Sequence, residues 1–130
     1  EDHLLVFVTD HGGKDANNGK AYINMWKSQR VYSDEFAGYF KDFNAGYISF
    51  VLGQCYSGGF IPALKADNHI VMAACKEDEK SYRHNIPDCD YDEFLYNWTA
   101  LVGDKDKQMV FIRKLALELG DNHCKCVFCS

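Results

Sequence analysis

Two apolar runs of strand length constrain this chain most, because each is cut off at a glycine-bearing turn that opens on a reactive side chain. Tyr47-Ile48-Ser49-Phe50-Val51-Leu52 runs into Gly53-Gln54-Cys55-Tyr56-Ser57-Gly58-Gly59, so a buried strand delivers a thiol to a tight turn. Leu4-Leu5-Val6-Phe7-Val8-Thr9 ends on Asp10-His11-Gly12-Gly13 and delivers an imidazole in the same way. If the two strands are parallel neighbours, His11 and Cys55 meet at the carboxyl edge of one sheet, where open α/β folds bind their ligands. A cysteine nucleophile requires this arrangement: an imidazole to take or hold the thiol proton, and free backbone N–H groups to meet an oxyanion.

The rest of the chain fits a βαβ reading. Asp10–Lys20 is a polar loop, with Asn17-Asn18-Gly19 as its turn, and Ala21–Trp26 reads as a short strand. Ser33 stands where a helix N-cap is expected, Asp34 and Glu35 follow in the first turn, and Phe36, Ala37, Tyr39, Phe40 and Phe43 form an apolar stripe ending near Asn44-Ala45-Gly46. Strand, helix and strand in succession call for a right-handed crossover and a parallel sheet. A short helical piece over Phe60–Leu64 then leads to a third strand, Ile70–Ala74, and a polar loop from Lys76 to Asp90. The spacing of Phe94, Leu95, Trp98, Leu101 and Val102 predicts a helix over 91–102. Val110, Phe111, Leu115 and Leu119 predict another over 108–119, stopped by Gly120.

Composition excludes several classes. The 130 residues are 47% hydrophobic and 25% charged, enough for one packed core. A formal charge of −5 and the lack of a Lys/Arg cluster argue against nucleic acid or an anionic membrane as partner. Apolar runs stay well short of the roughly 18 residues of a membrane span. The chain opens at Glu1, without Met, almost directly on a strand. A longer parent is therefore expected, and a signal peptide in it would make the protein secreted or exported.

The motif pair resembles that of the caspase, legumain and gingipain group of cysteine peptidases, clan CD. His11-Gly12 closes one strand, Gln54-Cys55 closes another, and the histidine precedes the cysteine by 44 residues, near the roughly 50 of the caspase signature. A third segment strengthens the likeness to the legumain type: Ser81-Tyr82, followed by Asp92 six residues ahead of Trp98, is similar to the stretch that builds the pocket for the residue before the scissile bond. The resemblance covers roughly Leu4 to Leu101. Gln54 departs from the acidic residue of legumains, and Gln is common there among caspases.

The resemblance implies an α/β, caspase-hemoglobinase-like fold with a mostly parallel central sheet flanked by helices. It implies a cysteine endopeptidase with His11 and Cys55 catalytic, Gly12 and Cys55 N–H groups as oxyanion hole, and Gln54, Ser81 and Asp92 as substrate-binding residues. Protein or peptide would be the substrate, with no metal or organic cofactor. Residues 1–103 would form the catalytic core of a domain whose N-terminal part lies outside this chain, and 104–130 a terminal helix and Cys-rich tail.

Taken singly, His11 reads as a turn histidine and Cys55 as a structural thiol; set jointly at two strand ends before glycine, they read as a catalytic pair. Gly58-Gly59 lacks the Walker lysine of a phosphate loop. Cys75 closes the third strand as a buried core thiol, and His69 and His84 are expected at the surface. Cys124, Cys126 and Cys129, beside His123, have the residue types of a zinc site without the spacing of a finger, and a frayed tail is expected. The alternative from a different class is a catalytically inactive binding or scaffold domain of the same fold.

Overall fold

The computed structural model describes residues 2–82, 93–103 and 127–128. Its centre is a parallel sheet of β1 (His3–Val8), β5 (Tyr47–Leu52), β6 (His69–Ala73) and β7 (Val127–Phe128), in that spatial order. A second, antiparallel sheet is built from β2 (Gly12–Lys14), β3 (Ala21–Asn24) and β4 (Arg30–Tyr32). Among the described residues the α-helices are α1 (Ser33–Gly38) and α2 (Glu93–Gly103).

β5 explains the longest apolar run. It pairs on both sides, with β1 and with β6, and every residue from Ile48 to Leu52 is buried. Ile48, Phe50 and Leu52 face one core with Phe60, Leu64 and Val71, whereas Val51 faces another with Met72, Phe94 and Leu95. A strand covered on both faces has no use for alternation, and its sequence is correspondingly continuous. Phe36 and Phe40 pack edge-on against Phe50 at ring distances of 6.2 and 4.9 Å. Ser49, buried on the opposite face of β5, is satisfied by the His3 imidazole at 2.9 Å.

Several local expectations are corrected. The segment 10–20 is not all loop: β2 pairs with β3 in the register Gly12↔Ile23 to Lys14↔Ala21, and β4, which the sequence reading omitted, extends that sheet. Two glycines and a lysine carry no strand propensity, so β2 exists only because β3 supplies its partner. The strand expected over 21–26 stops at Asn24. Ser33 is the first residue of α1 and is buried. Tyr32 occupies the cap, and no side chain makes a capping bond. α1 ends at Gly38, after which Tyr39 and Phe40 bond back only three residues, to Phe36 and Ala37. The tighter turn rotates Tyr39 and Phe43 out of the stripe, leaving them 60% and 50% exposed.

The piece expected as helix over 60–64 is a 3₁₀ turn, Ser57–Phe60, prolonged by a bond from Leu64 N–H to the Phe60 carbonyl. In the tail, Val127 and Phe128 pair with Met72 and Ala73, so that dipeptide is not frayed; the rest of the tail, the helix expected over 108–119 and the start of the helix expected at Tyr91 lie outside the described residues. His69 is half-buried rather than a surface histidine: its Nδ1 meets the Leu64 carbonyl at 2.8 Å and its ring lies 5.1 Å from Phe50. His84 also lies outside the described residues.

Candidate active site

The register of the central sheet brings the two motifs to one edge. Val8, the last residue of β1, pairs with Leu52, the last residue of β5, and the Gly53 N–H donates to the Val8 carbonyl at 2.9 Å. His11 and Cys55 each follow three residues further on. Beyond the pairing the backbones remain in contact. A Cβ added to Gly12 would lie 2.3 Å from the Cys55 carbonyl oxygen and 2.8 Å from Gln54 Cγ, so only glycine lets the histidine turn lie this close to the cysteine turn.

Each turn is held from outside. The Asp10 carboxylate takes the His11 backbone N–H at 2.6 Å, and the His11 carbonyl accepts from Asn24 N–H at 2.9 Å, tying the imidazole-bearing residue to the end of β3. The side chain of His11 itself is exposed. Tyr56, directly after Cys55, adopts φ 60°, a left-handed conformation that a bulky aromatic residue rarely takes and that marks local strain. Its N–H donates to the Glu79 carbonyl at 2.9 Å. The Cys55 thiol, half-buried, donates to the Ser81 carbonyl at 3.4 Å.

Beneath the turn, Ser57 is fully buried and accepts from the Cys75 N–H at 3.2 Å. Cys75 is the buried thiol expected at the end of the third strand. Gly58 lies where a Cβ would come 2.8 Å from the Cys75 carbonyl, which explains the first glycine of the pair. The 76–79 turn is closed by Glu79, whose carboxylate accepts from Lys76 N–H and faces the Lys76 ammonium, both at 3.2 Å. That backbone N–H, then the ammonium, hold the Glu79 carboxyl below the usual carboxylate range.

Gln54 is 1% exposed, and among the described residues neither atom of its side-chain amide has a hydrogen-bond partner. An unpaired amide so buried is costly, on the order of 1–3 kcal/mol, and is ready to take a partner. Ser81 borders a cleft of about 370 Å³ with Ala74, Tyr82, Glu93, Phe94 and Asn97. Glu93 N–H donates to the Tyr82 carbonyl at 3.0 Å, and both residues line this cleft. Asp92, the remaining pocket candidate, lies outside the described residues.

The sequence reading missed the strained Tyr56, the clamp formed by Ser57, Cys75 and Glu79, and the cleft wall of Glu93 and Asn97. No residue type announces the first, since tyrosine has no preference for positive φ. Asn97 stands one residue before Trp98, and its place on the cleft follows from α2. Among the described residues no group of three His, Cys, Asp or Glu side chains is placed to hold a metal ion, and no helix is long and apolar enough to cross a membrane. Cys124, Cys126 and Cys129 lie outside the described residues.

The parallel sheet with its helices is the α/β fold of the caspase-like cysteine peptidases. The family model described as the peptidase C13 family matches residues 1–115, and the chain belongs to that family, the legumain family of clan CD. It is thus a member of a cysteine peptidase family, whose substrates are proteins or peptides. No curated protein matches the chain.

Proposed function

We propose that the protein is an endopeptidase in which Cys55 attacks the peptide carbonyl as a thiolate and His11 serves as general acid and base. The observation that supports this most directly is the paired register Val8↔Leu52 together with the close approach of Gly12 to the Cys55 carbonyl, which sets both turns at one sheet edge. Attack yields a tetrahedral oxyanion, for which the N–H groups of Gly12 and Cys55 are the proposed donors. Collapse forms a thioester as His11 protonates the leaving amine, and water activated by the same imidazole releases the acid. Residues 1–103 are proposed as the catalytic core and 104–130 as an appended helix and tail. Replacing His11 by Ala should lower kcat by about 10²–10⁴-fold, the usual contribution of a general acid–base group, with the fold intact by circular dichroism. Near-parental turnover in His11→Ala would overturn the assigned chemistry.

For the substrate, Gln54, Ser81 and Asp92 are proposed to receive the side chain before the scissile bond. The place of Ser81 on the cleft beside Cys55 supports this. With Asp92 as the fixed charge, the pocket should prefer Asn, Lys or Arg and reject Asp, since like charges in a poorly solvated site are costly. A positional scanning peptide library on the parent and on Asp92→Asn tests it: the Lys/Arg preference should fall in the variant. A parent that selects Asp, or a variant with unchanged Lys/Arg preference, would refute the pocket.

A further inference from the structure

Cys75 is a nucleophilic group that the proposed mechanism does not use, and its position relative to Cys55 is specific. Its Sγ lies 3.7 Å from the carbonyl oxygen of Gln54, the residue bonded directly to Cys55. Standard backbone geometry then puts Cys75 Sγ within about 6.5 Å of the Cys55 Cα. The two thiols also hang on alternate carbonyls of one segment, Cys75 on Glu79 at 3.3 Å and Cys55 on Ser81 at 3.4 Å. Their exposures differ in the useful sense: Cys55 is half-buried and reachable from solvent, whereas Cys75 is 5% exposed. Ser57 Oγ, 3.5 Å from Cys75 Sγ, completes the polar surroundings of the inner thiol.

We propose that Cys55 and Cys75 form an oxidative modification site, in which Cys55 is oxidised by a hydroperoxide and Cys75 resolves the product to an intramolecular disulfide. The inference rests on Cys55 being the reactive thiol. In the first step the Cys55 thiolate attacks one oxygen of hydrogen peroxide; the O–O bond breaks, the thiolate becomes sulfenic acid, and hydroxide leaves. In the second, the Cys75 sulfur, giving up its proton, attacks the Cys55 sulfur and displaces the hydroxyl as water. Two thiols and one peroxide thus give one disulfide and two waters. Forming the bridge takes Cys55 from the Ser81 carbonyl and Cys75 from the Glu79 carbonyl, so oxidation releases both thiol contacts to the segment that borders the cleft. The bridge also shields Cys55 from over-oxidation to the sulfinic acid, and a dithiol reductant restores both groups.

The test reads the bond itself and does not depend on turnover. The full chain is treated with stoichiometric hydrogen peroxide, remaining thiols are blocked with iodoacetamide, and the protein is digested with trypsin without reduction. Cleavage after Lys41, Lys65 and Lys76 puts Cys55 on peptide 42–65 and Cys75 on peptide 66–76, while Cys89 and the tail cysteines fall elsewhere. The expected product is a linked 42–65/66–76 pair that disappears on dithiothreitol treatment. In Cys75→Ser the pair is absent, and Cys55 accumulates as sulfinic acid that dithiothreitol does not reverse. Cys55 bridged chiefly to Cys89 or to a tail cysteine, or sulfinic acid at Cys55 in the parent with no linked pair, would overturn the proposal. If His11→Ala retained activity while the linked pair formed, the catalytic reading would fail and this one would stand.

Discussion

Gly12 shows how much a single missing methyl group decides. With the Cys55 carbonyl 2.3 Å from where a Cβ would sit, the clash is with backbone, which cannot swing away as a flexible side chain would. Gly12→Ala should cost about 1–3 kcal/mol, as overpacking does, measured by urea unfolding. It should also lower kcat by about 10²-fold, since a displacement near 1 Å between reacting groups has that effect. Parental kinetics in Gly12→Ala would mean that the contact between the two turns does not govern the site. Gln54 poses the opposite problem at the neighbouring position, a large polar side chain buried with no partner, and the pair together identifies the sheet edge as shaped for something other than stability.

Among the elements, the small antiparallel sheet carries the histidine turn and is organised by one carboxylate. Asp15 accepts from Asn17 N–H at 2.8 Å and from the Tyr32 hydroxyl at 2.8 Å, and Arg30 approaches it at 3.9 Å while lying over the Tyr22 ring. The Asn17 bond first and the Tyr32 bond next hold the Asp15 carboxyl below its ordinary value. A carboxyl whose folded pKa is depressed binds fewer protons folded than unfolded, so it stabilises above the ordinary aspartate value near 3.9. That contribution is lost as pH falls through the lower folded value. Asp15→Asn, which keeps an acceptor and removes the charge, should therefore lose less stability than the parent between pH 7 and pH 3, as read from denaturant midpoints. An equal loss in both proteins would show that this carboxylate does not couple the sheet to pH.

For the molecule as a whole, the two-sided burial of β5 holds the fold together, and its Phe50 meets the rings of Phe36, Phe40 and His69. Phe50→Ala should cost about 3–5 kcal/mol by calorimetry or urea unfolding. A loss below 1 kcal/mol would mean that the aromatic cluster collapses around the cavity. The apolar runs, the glycines behind His11 and Cys55, and their order along the chain were enough to specify the parallel sheet and the residues at its edge, because strand burial and turn chemistry are local properties written in residue type. β2, β4 and the half-burial of His69 were not legible, since each exists through a pairing that residue type does not announce: β3 for the two strands, Phe50 and Leu64 for the imidazole. The early end of α1 is local, set by the three-residue bonds of Tyr39 and Phe40. The same holds at the site. Residue types alone named His11 and Cys55 as candidates, whereas the approach of Gly12 to the Cys55 carbonyl, the strained Tyr56 and the seating of Cys75 beside Gln54 were decided by tertiary structure. They depend on how closely separate backbones pack, a distance that no single segment encodes.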